Sequence, residues 1–402
     1  MKIINIVKNS FFLGVFQLAT YVVPFSTIPY FSRIFSPNEF GVIMTFIALV
    51  QFGYIVAEYG HNISATKKII DKMDDVAAIS RINTNVIFSK FIVIVIYTSL
   101  SFFAFYEMMS LEHVILLFLT LLFQAFQPVW YFNALEKFRE FSILALVGKL
   151  TYIPLVYIFV DSESGASSII LSLLLSQVIT LLLIFHFHKN LIKLSAMSVR
   201  DGLIELRGSS LFFLGRLSSN FQYFTLTPLV NFLLGPIVAG NFSIADNLSK
   251  AIRGLTGSIN QALYPAVAKS KNERLFWLLV LSTTLMLTIL CYIVSFISLP
   301  LIYFIFGDGY DEAPYIFNIM LITVVLYYFN ACIGYPYFSI VNKLDLANKT
   351  AYIGGVVFLA LIISCYFYFS DISVVDLLAI LIFSELIVIA IRLCYIFLRK
   401  FK

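Results

Sequence analysis

Apolar runs of roughly 20 residues recur along the 402-residue chain, separated by short polar stretches. That is the length a helix needs to cross a hydrocarbon core of ~30 Å. The period-two alternation of a lipid-facing strand is absent, so the runs read as helices, each satisfying its own backbone. Twelve spans are predicted, at 10–31, 41–59, 86–106, 113–134, 141–160, 167–188, 209–233, 238–266, 275–306, 315–340, 350–369 and 373–397. The ninth is long enough to tilt or to kink near Pro300, but too short to cross twice. Lys2 and Lys8 ahead of the first run resemble a signal peptide. That run is too long for a signal core and lacks a small-x-small cleavage site, so it reads as a permanent span.

Composition agrees: 60% of the residues are hydrophobic and only 12% charged, where a soluble domain is near half apolar and a quarter charged. Cys291, Cys332, Cys365 and Cys394 all fall within apolar runs and read as reduced packing residues. The net charge of +5 is a matter of topology, not of nucleic-acid binding. Outside the spans, basic residues occupy the N-terminus, the stretches 60–85, 135–140, 189–208, 267–274 and 341–349, and the C-terminal tail. Arg33 is the one exception. Under the positive-inside rule both termini are cytoplasmic.

The chain also reads as an internal repeat. Pro29, Pro37 and Gly41 match Pro228, Pro236 and Gly240 at one constant offset, and Phe11–Phe12–Leu13–Gly14 recurs as Phe212–Phe213–Leu214–Gly215. Two halves of six spans, both starting in the cytoplasm, form a parallel repeat about an axis along the membrane normal. The expected fold is therefore an all-α integral membrane protein with 12 transmembrane helices in two six-helix bundles around a central cavity. Residues 1–188 form the N-terminal bundle, 189–208 a cytoplasmic connector and 209–402 the C-terminal bundle.

Charge inside the spans points to the chemistry. Asp246, Lys250, Arg253, Gly257, Asn260 and Tyr264 follow steps of three and four, which puts them on one helix stripe. Ionised groups at such depth mark a pathway or site by default. An Asp246–Lys250 pair would neutralise itself and leave Arg253 over, because a guanidinium keeps its proton. Lys149 and Arg216 sit in the fifth and seventh spans and, with Lys250 and Arg253, would give a cavity of excess positive charge. Such a cavity suits a phosphate or pyrophosphate. Lys90 and Arg392 read as interface anchors. Glu385 and Asp246 are the candidates for binding a coupling proton or cation, and Pro29 and Pro228 for gating bends. No Walker-type loop and no nucleophile–base set is present, and His186-x-His188 does not share a helix face. The chain therefore reads as a transporter, with no enzyme chemistry, metal or resident cofactor.

Four stretches resemble a known family. They are Pro29–Tyr30–Phe31–Ser32–Arg33–Ile34–Phe35–Ser36–Pro37–Asn38–Glu39–Phe40–Gly41, the run from Glu58 through Gly60 to Lys67, Gln127–Pro128–Val129–Trp130 through Lys137, and Gly235–Pro236 with Ala239–Gly240–Asn241–Phe242 continuing to Pro265. They are similar to bacterial polysaccharide flippases of the Wzx type, in the superfamily that also holds multidrug/toxin extruders. The resemblance implies movement of an undecaprenyl-pyrophosphate-linked oligosaccharide, an O-antigen or capsule repeat unit, from the cytoplasmic to the periplasmic leaflet of the inner membrane by alternating access. It further implies an ion gradient (H+ or Na+) as the drive, contact with membrane lipid, and a polysaccharide polymerase and chain-length regulator as partners. It transfers no binding motif, so Lys250, Arg253, Arg216 and Lys149 rest on depth and helix face.

Three other readings compete. A multidrug/toxin-type antiporter would want acidic cavity residues, and this chain offers mostly basic ones. A membrane-embedded polymerase or transferase would want a large outer loop, where the chain has only short ones. A scaffold would have no use for buried cations.

Overall fold

The computed structural model describes residues 22–188, 195–196, 198–368 and 371–400, which are helical nearly throughout and contain no strand among them. The chain divides into two compact units, Met1–Leu217 and Ser218–Lys402.

The first unit holds α1 (residues 22–34), α2 (Pro37–Glu58), α3 (His61–Ile70), α4 (Val76–Ala104), α5 (Leu111–Ala125), α6 (Val129–Ala134), α7 (Phe138–Phe159), α8 (Ala166–Phe187) and most of α9 (Val199–Phe224). The second holds the end of α9, then α10 (Leu226–Leu234), α11 (Pro236–Ser270), α12 (Glu273–Phe296), α13 (Ser298–Phe306), α14 (Ala313–Ile333), α15 (Tyr335–Ile340), α16 (Leu344–Tyr368) and α17 (Val374–Lys400). Nine helical segments among the described residues are long and apolar enough to cross a membrane, which makes this a multi-pass membrane protein. The other three predicted spans fall on α1, on α9 with α10, and on α11. Part of the first, with Phe11–Gly14, lies outside the described residues.

Local sequence explains where helices start and break. Pro37 opens α2 and Pro236 opens α11, positions where the missing N–H costs nothing. Ahead of Pro37, Ser36 and Glu39 form a reciprocal capping box. Pro228 cannot donate to the carbonyl of Phe224, four residues earlier, and α9 ends there. Pro29, by contrast, lies within the unbroken helical stretch 22–34. The ninth predicted span breaks at Ile297, between α12 and α13. The tenth breaks at Gly334, just ahead of Pro336. The stretch 60–85, expected as a cytoplasmic loop, is mostly helical: α3 follows α2 after a left-handed turn at Tyr59 and Gly60.

The division between units falls inside α9. The early turns of α9 are bonded to the first unit. Lys68 donates to both carboxylate oxygens of Glu205 at 2.8 Å, and Ser64 and Ser209 share a hydroxyl contact of 2.7 Å. The Tyr59 and Phe213 rings stack with centroids 4.3 Å apart.

Within lipid, helix association depends on close packing and polar contacts, since the solvent is as apolar as the side chains. In the first unit, Phe46, Leu49, Ile94, Leu117, Leu121 and Ile170 form a core shared by α2, α4, α5 and α8. Small residues set the closest approaches. A Cβ added to Gly148 on α7 would stand 2.7 Å from the Cβ and 3.0 Å from the Cα of Thr180 on α8. Gly148→Leu is expected to force the two helices apart at a cost of about 1–3 kcal/mol. An unchanged thermal midpoint for the purified variant would contradict this packing.

Candidate functional site

Asp246, Lys250 and Arg253 lie on consecutive turns of α11, and the structure brings their side chains together. Lys250 Nζ is 2.6 Å from Asp246 Oδ2, and Arg253 Nη2 donates to Asp246 Oδ1 at 3.0 Å. One carboxylate therefore serves both cations, and Arg253 is not left over as the helical spacing suggested. Asp246 is almost fully buried and the Arg253 side chain is 7% exposed, while that of Lys250 is 28% exposed. The pairing uses half of Asp246 for each cation. Arg253 Nη1 remains buried without a hydrogen-bond partner among the described residues. A Cβ added one turn further, at Gly257, would meet open space. Buried donors almost always find acceptors, so Nη1 is poised for an acceptor supplied by something else.

The cluster continues across the second unit. The Arg253 guanidinium lies 4.4 Å from the centroid of the Tyr223 ring at the end of α9, a cation–π geometry. The Tyr223 hydroxyl donates to Glu385 Oε1 on α17 at 2.7 Å. Asn330 Nδ2 on α14 donates to Glu385 Oε2. Arg392, two turns along α17 from Glu385, donates through Nη1 to the side-chain and backbone oxygens of Asn330 and through Nε to Thr350 Oγ1 at 2.8 Å. The result is a continuous polar path from Lys250 to Thr350, buried except at Lys250. Its ionised members are three cations and two carboxylates.

Arg392 is thus a buried network member and not an interface anchor. Lys90, in the first unit, departs from expectation in the same way. It is 2% exposed, donates to the backbone carbonyl of Ala125 at 2.9 Å and lies 4.2 Å from the Trp130 ring centroid. The α5 helix ends at Ala125 ahead of Pro128, which frees carbonyls that a cation can take up. Lys149 is half-buried on α7 of the first unit. Arg216 lies on α9, and its side chain is outside the described residues, as are those of Gln261 and Tyr264. Of the six residues proposed for substrate binding or coupling, Asp246, Lys250, Arg253 and Glu385 therefore meet in one network. Tyr223, Asn330, Arg392 and Thr350 are members that sequence reasoning misses. One signal is available: Glu385 and Arg392 are seven residues apart on a helix face, the same spacing as Asp246 and Arg253.

Comparison with known proteins places the chain in a family. A model described as polysaccharide biosynthesis protein matches residues 6–271. A protein of Escherichia coli (strain K12) named "Putative O-antigen transporter" is 27% identical over 273 residues, covering 65% of this chain and 65% of that protein. A protein of the same name from Shigella dysenteriae is 27% identical over 271 residues, 65% of this chain and 67% of its own length. The match thus spans just under two thirds of the E. coli relative. Among solved structures, an inward-facing multidrug resistance MATE family transporter of the MOP superfamily aligns with a TM-score of 0.70 at 14% identity, covering 96% of this chain and 94% of that one. The lipid II flippase MurJ in an inward closed conformation aligns with a TM-score of 0.68 at 15% identity, covering 95% and 87%. These two likenesses are of fold. With the family match extending over more than half of its length, the chain belongs to the polysaccharide biosynthesis protein family.

Proposed function

We propose that this protein is a flippase that carries an undecaprenyl-pyrophosphate-linked oligosaccharide, an O-antigen or capsule repeat unit, from the cytoplasmic to the periplasmic leaflet by alternating access. The observation that carries this reading is the open Nη1 of Arg253 beside a partly exposed Lys250. A pyrophosphate crossing the hydrocarbon loses its water hydrogen bonds and needs charged donors in their place. Arg253 and Lys250 supply them, and Lys149 and Arg216 are the further cations assigned to the cargo. The polyprenyl tail has no such need and stays in lipid. Glu385 and Asp246 are the groups that take a coupling H+ or Na+, and Pro29 and Pro228 are the points at which the helices flex in gating. The protein works in the bacterial inner membrane with both termini in the cytoplasm, alongside a polysaccharide polymerase and chain-length regulator. The names of the E. coli and Shigella relatives support this reading. A drug antiporter sharing the fold would want an anionic site, and the open donor here favours an anionic cargo.

The test is complementation of a deletion strain. The Lys250→Ala/Arg253→Ala double variant, at matched protein abundance, is expected to lose surface polysaccharide and accumulate lipid-linked intermediate. Each charge-assisted contact removed is worth about 1.5–3 kcal/mol. Normal surface polysaccharide from the double variant refutes the site. Normal polysaccharide in the deletion strain itself, with no second flippase present, refutes the function.

A further inference from the structure

The two contacts made by Glu385 are not equivalent, and the difference fixes where a proton can go. Tyr223 donates to Oε1 and Asn330 donates to Oε2, so both partners suit a charged, acceptor-only carboxylate. On protonation, one of the two donors has to give way. Asn330 cannot. Its amide oxygen faces Arg392 Nη1, and a guanidinium has donors only. Turning the amide to offer its oxygen to Glu385 would set NH2 against guanidinium. Arg392 is itself held by Thr350 Oγ1 and the Ala347 carbonyl. The Tyr223 hydroxyl carries no such constraint, because it rotates about its own C–O bond.

We infer that Tyr223 is a positioning residue that reports the protonation state of Glu385 to Arg253, with Asn330 and Arg392 forcing the proton onto the Tyr223 side of the carboxyl. A proton from bulk water binds Oε1, which then donates to the Tyr223 oxygen, and the hydroxyl turns its own hydrogen away. No other bond is made or broken. The ring involved is the one beneath the Arg253 guanidinium. The groups around the switch are Arg253 and Asp246 of α11 beyond that ring, Tyr327 of α14 at its edge, Arg392 on the carboxyl's own helix, and Tyr335 and Thr350 next to Arg392. Neutralising Glu385 removes one of two carboxylates from a cluster with three cations, so an anion binds Arg253 and Lys250 more tightly when Glu385 holds a proton. By linkage, a bound anion favours the proton equally. This last step rests on the anionic cargo proposed above; the placement of the proton does not.

The purified full-length protein tests both parts. Infrared difference spectra on acidification should show a protonated-carboxyl band that is missing in Glu385→Gln. The band should move to higher frequency in Tyr223→Phe, where the acid O–H loses its acceptor. It should stay in place in Arg392→Lys, which keeps a cation against the Asn330 amide. A Glu385 band unmoved in Tyr223→Phe, or no Glu385-dependent band at all, overturns the relay. In a second measurement, with Glu385→Gln as the reference at each pH so that titration of the ligand's own phosphate cancels, undecaprenyl diphosphate should bind the wild type as tightly as the variant at acid pH and on the order of tenfold more weakly at alkaline pH. A wild-type to Glu385→Gln affinity ratio that ignores pH overturns the link to the anion. Absence of binding at every pH refutes the anionic cargo, while the infrared bands still decide the role of Tyr223.

Discussion

Asp246→Ala is expected to destabilise the protein by about 3–5 kcal/mol, as when one partner of a buried ion pair is removed. That should exceed the loss from Lys250→Ala. The reason is the asymmetry between the two cations that share the carboxylate. Lys250 is partly exposed and can swing outward, whereas Arg253 is enclosed and a guanidinium cannot shed its proton. Partners available in the membrane-embedded unfolded state reduce the cost, so a value near the lower limit is expected. Asp246→Ala/Arg253→Ala should recover part of the loss, because the orphaned charge leaves with its partner. Thermal unfolding of the detergent-purified single and double variants gives the coupling directly. Equal losses from Asp246→Ala and Lys250→Ala would show that the carboxylate does not hold Arg253.

Gly60→Ala should be strongly destabilising to the first unit. Gly60 has φ +76, in the left-handed region, where a side chain costs about 1–2 kcal/mol. Its new Cβ would stand 2.6 Å from Phe212 Cβ and 2.8 Å from the backbone nitrogen of Phe213. A backbone atom in a helix cannot step aside as a side-chain tip can, and overpacking of this kind adds roughly 1–3 kcal/mol. The obstructed helix is α9, so the displacement strains the Ser64–Ser209 and Lys68–Glu205 contacts. The left-handed backbone alone accounts for at most about 2 kcal/mol, so any larger loss on thermal unfolding of Gly60→Ala measures the close approach. A loss below about 2 kcal/mol would show that the close approach of α9 to the α2–α3 turn is wrong.

Much of this architecture can be read from the chain because hydrophobic length and proline placement act locally. The apolar runs become helices, and Pro37 and Pro236 open two of them as their chemistry requires. The charged stripe of α11 is equally legible, since helical spacing alone aligns Asp246, Lys250 and Arg253. What spacing cannot show is how a partner divides itself. One carboxylate has two oxygens, and whether both go to Lys250 or one to each cation depends on rotamers set by packing. Lys90 and Arg392 escape a sequence reading for a related reason. Both are satisfied chiefly by neutral oxygens, at Ala125, Asn330 and Thr350, and these are contributed by distant helices that sequence does not align. The 61–70 helix is hidden by its polarity. His61, Ser64 and Lys68 read as loop, but Ser89 and Ser209 take the two His61 nitrogens, and Glu205 takes Lys68.

The grouping of charges on α11 also bears on how the polypeptide enters the membrane. An Asp, Lys or Arg at the centre of a helix costs about 2.5–3.5 kcal/mol each during insertion, and α11 carries all three. Glu385 and Arg392 belong to α17, which leaves the ribosome well over a hundred residues later, so neither can assist. Asp246 lies one turn from Lys250 and two from Arg253, and the compensation is therefore built into the segment itself. With Tyr223 already synthesised, the emerging hairpin has a ring to set against the guanidinium. Charges that depend on separate helices have to wait for the last of them; on α11 the Asp246 carboxylate offsets one of the two cations while the chain is still being made.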